Sequence, residues 1–251
     1  MAYQFGRLGP DPDKTLFAAY RPKVTAEQLP ANVSYEYLFG PIEDQGEGGT
    51  CVAFATTALT EAILFKRLHN RNVDISERAL YSLVKEIYEP GTDDQAGLYG
   101  ADALMCLEKT GYVPSSEWPY GTPTDPSDPS LYAPVPHNLI KTDHELHGFT
   151  RVENDSLSLQ LALFEQGPIT IGINWYQEWT NIDPGPDIIL NPNPDPANLE
   201  GGHEIVIVGY SKEKQAFRLR NSWGTSWGDN GYFWMPFDCS IRPDDAYTIK
   251  L

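Results

Sequence analysis

Residues 45–69 read QGEGGTCVAFATTALTEAILFKRLH, and the organisation of the whole chain follows from this stretch. Between Thr50 and His69 there is neither Gly nor Pro, and Val52, Ala55, Leu59, Ala62, Ile63 and Leu64 recur near helical spacing among good helix formers. The spacing predicts a buried helix entered through the glycine-rich turn Gln45–Gly49. Cys51 then stands at the amino end of that helix, where unpaired backbone N–H groups and the helix dipole favour a thiolate. A cysteine in this position is either an activated nucleophile or a small apolar residue capping a core helix.

Outward from this helix, Ser76–Tyr88 and Ala101–Lys109 are predicted to be helical, the first ending before Pro90 and the second stopped by Gly111. Prolines then crowd Pro114–Pro136 and Pro184–Pro196, which read as loops. Short β-type runs follow at Pro168–Ile173, Glu204–Tyr210, Ala216–Asn221 and Gly231–Met235. The expected class is α+β, a helical half packed against an antiparallel β half with a cleft between them.

Composition narrows the partners. Eighteen Lys and Arg against 35 Asp and Glu give a net charge of −17, which disfavours phosphate backbones and anionic membrane surfaces. No apolar run approaches the roughly 18 residues of a membrane span, and the amino terminus MAYQFGRLGPDPDK has no apolar signal core. Cys51, Cys106 and Cys239 are too few for a disulfide framework; a Cys106–Cys239 bridge is the one pairing left open, and free thiols are expected. A cytoplasmic monomer is the default expectation.

Two further positions bear on Cys51. His203 lies between Gly201–Gly202 and the run Glu204–Tyr210, and Asn221 follows within Arg220-Asn221-Ser222-Trp223-Gly224-Thr225-Ser226-Trp227-Gly228. An asparagine can accept a hydrogen bond from one imidazole nitrogen and leave the other for a thiol, without adding charge. Trp223 and Trp227 would shield that bond from water.

Together these segments resemble the papain-like cysteine peptidases. Gln45-Gly46-Glu47-Gly48-Gly49-Thr50-Cys51 is similar to the family's nucleophile segment, Gly202–Tyr210 to its histidine strand, and Asn221–Gly224 with Trp227-Gly228 and Gly231-Tyr232 to its asparagine motif. Trp118-Pro119-Tyr120 and Gly167–Ile171 echo two further family segments, and Met235-Pro236 with a short amino-terminal arm is most like the bacterial branch. The resemblance implies the papain-like two-subdomain fold: an arm over 1–28 and a peptidase domain over 29–251. Within that domain it implies a helical part near 40–140, a β part near 141–235 and a carboxy-terminal crossover over 236–251.

The implied roles are Cys51 as nucleophile, His203 as acid and base, Asn221 as orienter of the ring, and Gln45 as a donor to the oxyanion hole, with Trp223 covering the Asn221–His203 bond. The implied substrate groove runs along Gly97, Tyr99, Gly172, Gly202 and Glu204, flanked by Trp223 and Trp227. The substrate would be a peptide or protein, and no cofactor or metal is implied. Two other readings share these residues: a different thiol acyl transfer, such as an amidase, and a non-catalytic peptide-binding domain.

The chain departs from the family in ways that carry expectations. Gly48 stands where secreted members have a disulfide cysteine, and the stretch before Leu29 is too short for the long inhibitory pro-domain. The arm is expected to pack as a surface strap, with a path across the cleft as the alternative. Glu204 replaces a small residue and would favour Lys or Arg in the substrate's second position if it faced the pocket; the expectation is that it turns aside to a base such as Arg220. His144-Glu145-Leu146-His147 falls one residue short of a metalloprotease helix motif and is read as a charged loop.

Overall fold

The computed structural model describes residues 5–13, 17–69, 73–91, 97–121, 133–142, 146, 148–240 and 243–249. His144, Glu145 and His147 lie outside the described residues. In chain order the arm carries a two-residue strand β1 (Ala18–Ala19), followed by β2 (Asn32–Ser34). Three helices come next, α1 (Cys51–Leu68), α2 (Glu77–Ile87) and α3 (Gly100–Lys109). The second half holds β3 (Phe149–Arg151), α4 (Ser156–Gln166), β4 (Ile169–Tyr176), the single-turn α5 (Gln177–Thr180), β5 (Leu199–Ser211), β6 (Ala216–Arg220), β7 (Tyr232–Pro236) and β8 (Asp245–Ile249).

The strands form one sheet in the order β1-β3-β8-β4-β5-β6-β7, with β2 added beside the far end of β5. Every pairing is antiparallel except that of β1 with β3. The last strand, β8, inserts between β3 and β4 and so returns the chain's end to the middle of the sheet. No helix among the described residues is long and apolar enough to cross a membrane.

Helix α1 carries apolar or small residues around nearly its whole circumference, which suits a helix buried on all sides. Ala55, Ala58 and Ala62 meet Val206 and Val208 of β5, and three methyl-sized side chains let the helix lie close against the strand. Its opposite flank packs Leu59 and Ile63 with Leu104 of α3, Phe149 of β3 and Tyr247 and Ile249 of β8. Cys51, Val52 and Leu64 join Leu80, Tyr81, Val84 and Leu107 in a third cluster with α2 and α3. The amino end of α1 is thus fixed from both the helical and the stranded side. The three cysteines are all free and buried.

An acidic cluster is trapped beside α1. Burial and the neighbouring Glu43 push the Glu77 carboxyl up to about 10, and burial pushes Glu61 up to about 8. A carboxyl raised in the folded state costs nothing while it is protonated in both states. The cost grows as pH rises from the ordinary carboxylate range toward the folded value. Glu77→Gln keeps an acceptor for Thr57 Oγ1, which lies 3.4 Å from Glu77 Oε1. This variant should stabilise the protein by on the order of 1–3 kcal/mol at pH 8 and by nothing measurable at pH 4. Thermal melts at the two pH values check it; equal gains at both would exclude the ionisation account.

Candidate active site

The site is built where the amino end of α1 meets β5 and the loop after β6. His203 and Asn221 are both buried, and His203 Nε2 lies 2.8 Å from Asn221 Oδ1. The same oxygen accepts the backbone N–H of Ser222 at 2.9 Å, which fixes the amide's orientation. Nε2 therefore carries the proton toward Asn221, and in the neutral ring Nδ1 is the bare nitrogen. Nδ1 has no hydrogen-bond partner among the described residues. Trp223 lies over the ring at 5.0 Å between centroids, and Trp175 meets it edge-on at 4.9 Å. Trp175 was not picked out from the sequence, although β4 pairs Ile173 with His203 and so brings the second residue along beside the ring. Trp227 sits behind Trp223 at 5.1 Å and donates its indole N–H to Thr180 O.

The loop before Cys51 is pinned to this cluster. Gln45 is fully buried: its backbone N–H donates to Ser222 O at 2.9 Å, and its side-chain oxygen accepts from Ser222 Oγ at 2.7 Å. Its Nε2 donates to Gly48 O at 2.8 Å, so the amide plane is held at both ends. Tyr120, from the Trp118-Pro119-Tyr120 turn, donates to Gln45 O at 2.9 Å and lies 2.7 Å from Thr50 Oγ1. The Cys51 sulfur receives backbone hydrogen bonds from Glu204, the neighbour of His203, and from Gly6. Cys51, His203, Asn221 and Gln45 are thereby brought into one buried constellation.

Gly6 belongs to the arm, and its presence here corrects the expectation of a surface strap. Residues 5–8 run through the site: Arg7 N–H donates to Gly202 O, Leu8 N–H to Leu98 O, and Leu98 N–H to Gly6 O. Phe5 meets the His203 ring edge-on at 5.8 Å. The fit depends on glycines facing one another. A methyl group on Gly6 would stand 1.7 Å from Gly49 O, and one on Gly97 would stand 2.2 Å from the Gly6 backbone. Spacing alone does not reveal that Gly6 matches a trough floored by Gly49 and Gly97.

Glu204 also behaves differently from the expectation. Arg220 does not reach it; that guanidinium donates to Gly40 O and Pro41 O instead. Glu204 accepts from Thr170 Oγ1 at 2.7 Å and lies 3.3 Å from Arg7 Nε. Burial pushes its carboxyl up to about 7, while Arg7 and Thr170 draw it down. Gly172 and Gly202 both lie against Arg7, at 1.9 Å and 2.9 Å from the Cβ each lacks. On the helical side the backbone of Leu98 holds the arm, and Gly100 faces Glu204, with 3.4 Å from its missing Cβ to Oε1. Tyr99, between them, is half-buried at the start of α3, and its N–H donates to Glu89.

The covered site also reverses the electrostatic expectation for Cys51. Burial pushes the thiol up to about 11 and the His203 imidazole down to about 4. Desolvation by burial is the largest cause of both shifts, and it opposes charge on either group. Among the described residues no cluster of three or more His, Cys, Asp or Glu is arranged to hold a metal ion.

Comparison with known proteins gives a consistent result. The sequence profile described as "Papain family cysteine protease" matches residues 30–249. A peptidase C1-like protein of Acanthamoeba polyphaga mimivirus is 24% identical over 93% of this chain and 81% of its own length. Cysteine proteinase 1 of Entamoeba histolytica is 27% identical over 82% of this chain, which spans 64% of that protein. Among solved structures, xylellain, a cysteine protease from Xylella fastidiosa, superposes with a TM-score of 0.79 at 28% identity, covering 100% of this chain and 98% of that one.

Proposed function

Since the chain belongs to the papain family of cysteine proteases, we propose that it hydrolyses peptide bonds in peptide or protein substrates with Cys51 as nucleophile. His203 is the acid and base, Asn221 orients its ring, and Gln45 helps to hold the developing oxyanion. The observation that carries this reading is the His203 tautomer. Nε2–H is engaged by Asn221 Oδ1 at 2.8 Å, and Nδ1 is left as the nitrogen that can take the Cys51 proton.

The steps follow from these groups. With the proton on His203, the Cys51 thiolate adds to the scissile carbonyl, and its oxygen gains negative charge beside the backbone N–H of Cys51 and the amide of Gln45. The tetrahedral adduct collapses to a thioester as His203 gives its proton to the departing amine. Water, losing a proton to His203, then cleaves the thioester and restores the thiol. Asn221 stabilises the imidazolium without a counter-charge that would hold the proton too firmly.

Gln45 is the discriminating test, because a peptide-binding domain has no use for an oxyanion donor. Gln45→Ala should lower kcat for a fluorogenic peptide by about 10²–10³ with little change in KM. A loss below about threefold, in a variant whose near-ultraviolet circular dichroism matches the parent, would remove Gln45 from the mechanism.

A further inference from the structure

Trp175 is fully buried beside His203, with 4.9 Å between ring centroids, and also packs on Trp223 at 5.1 Å. Trp223 in turn lies 5.0 Å from the imidazole and 5.1 Å from Trp227. The indoles of Trp175, Trp223 and Trp227 therefore form one packed block against the ring, and a shift in any of them is felt at His203. A buried indole is oriented by the partner of its N–H, since turning the ring over would leave that donor unpaired in the core.

Trp175 and Trp227 both find that partner at Thr180. Trp175 Nε1 donates to Thr180 Oγ1 at 3.0 Å, and Trp227 Nε1 donates to Thr180 O at 3.2 Å. The hydroxyl has one proton, and it goes to the carboxylate of Glu200, which can only accept. Its lone pairs are thereby turned to Trp175, which fixes the direction of the chain from indole to hydroxyl to carboxylate. Thr180 ends α5, directly after the strand that carries Trp175, and Glu200 belongs to the strand that carries His203. Asn221 grips His203 at Nε2 alone, and one hydrogen bond leaves the ring free to pivot about that point. The packed indoles remove that freedom, so the direction in which Nδ1 points depends on them.

We infer that Thr180 is a positioning residue for His203: it fixes the indoles of Trp175 and Trp227, which hold the imidazole and with it the aim of Nδ1. This inference rests on the protease reading for its reaction but not for its contacts. Thr180 touches no reacting atom, and its hydroxyl acts through the two tryptophans.

The test uses the full chain with Thr180→Val, which keeps the side chain's shape and removes the hydroxyl, and Thr180→Ser, which keeps the hydroxyl. Two quantities are measured: hydrolysis of a fluorogenic peptide, and exchange of the His203 Nε2 proton with water. The exchange is followed by NMR in protein with isotope-labelled histidine, the signal being assigned by its loss in His203→Gln. Thr180→Val should lower kcat about tenfold with little change in KM, and should speed the proton exchange about tenfold. Thr180→Ser should recover both to within about twofold. If Thr180→Val fails to fold, Trp175→Phe, which keeps a ring and lacks the N–H, carries the same two predictions. Either quantity unchanged in Thr180→Val overturns the inference. A loss that Thr180→Ser does not recover assigns the effect to packing at α5 and overturns it as well. If the parent hydrolyses neither the peptide nor unfolded casein, the protease reading fails, and the proton exchange alone decides whether Thr180 positions the ring.

Discussion

Cys51→Ala should lower peptide hydrolysis by on the order of 10⁴ or more, to the residual rate left by binding and the oxyanion donors. The size of the effect comes from the way the groups act together. Once the sulfur is gone, His203 has no proton to take, and the Asn221 hydrogen bond holds a ring with no partner. For the same reason His203→Ala should cost nearly as much, and the double variant scarcely more than either alone. Cys51 is fully buried and packs as a small apolar residue, so the alanine variant should fold normally. Measured rates that multiplied in the double variant would mean that the two residues act in separate processes.

Gly6→Ala should speed alkylation of Cys51 by iodoacetamide at pH 6 by about a hundredfold. The added methyl group would stand 1.7 Å from Gly49 O, a backbone atom that cannot swing aside, so the arm must lift. In the parent, burial holds Cys51 near 11 and His203 near 4, and labelling should stay slow until pH climbs toward the thiol's value. With the arm lifted, water returns to both groups. Burial is the largest cause of both shifts, so the thiol value falls and the imidazole value rises. If the two cross, the thiolate–imidazolium pair dominates at pH 6 and the profile extends far below the ordinary cysteine range. Cys106, held near 12 by burial, serves as the internal control and should remain unlabelled in both proteins. Identical pH profiles for parent and variant would show that the arm does not govern the thiol.

The sequence made the framework legible wherever periodicity was local. Helices α1, α2 and α3 and strands β4 to β7 fall close to the predicted runs, because each is a short stretch whose burial pattern repeats along the chain. Helix α4 is not among the elements the sequence predicts: its leucines at Leu157, Leu159, Leu161 and Leu163 alternate, and its start is capped by Asp155 accepting from the N–H groups of Leu157 and Ser158. Strand β8 lies in the stretch expected only as a crossover, since its five residues acquire meaning through pairing with β3 and β4. The Cys51, His203, Asn221 and Gln45 group could be read because each lies in a distinctive short motif. The contacts of Arg7 could be read only in part: Gly172 and Glu204 stand in the expected groove, but Asp245 reaches them through strand register and Arg7 arrives from a distant arm that carries no periodic pattern.

The way the arm is fastened has one more consequence. Behind its tip, Asp11 accepts from Tyr247 and from the N–H of Ala101, and Phe17 is embedded with Phe149 and Tyr247. Farther on, β1 pairs with β3 and Tyr20 donates to Glu165. When residues 5–8 leave the groove they therefore remain on a short leash, and their return is a first-order event at an effective concentration of about millimolar. Occupancy of the groove is then the same in a dilute solution as in a crowded one, and a free peptide of the same sequence would compete poorly at micromolar levels. One cut in the chain between Gly9 and Phe17 would end that advantage, turning a tethered occupant into a weak one that dilution removes.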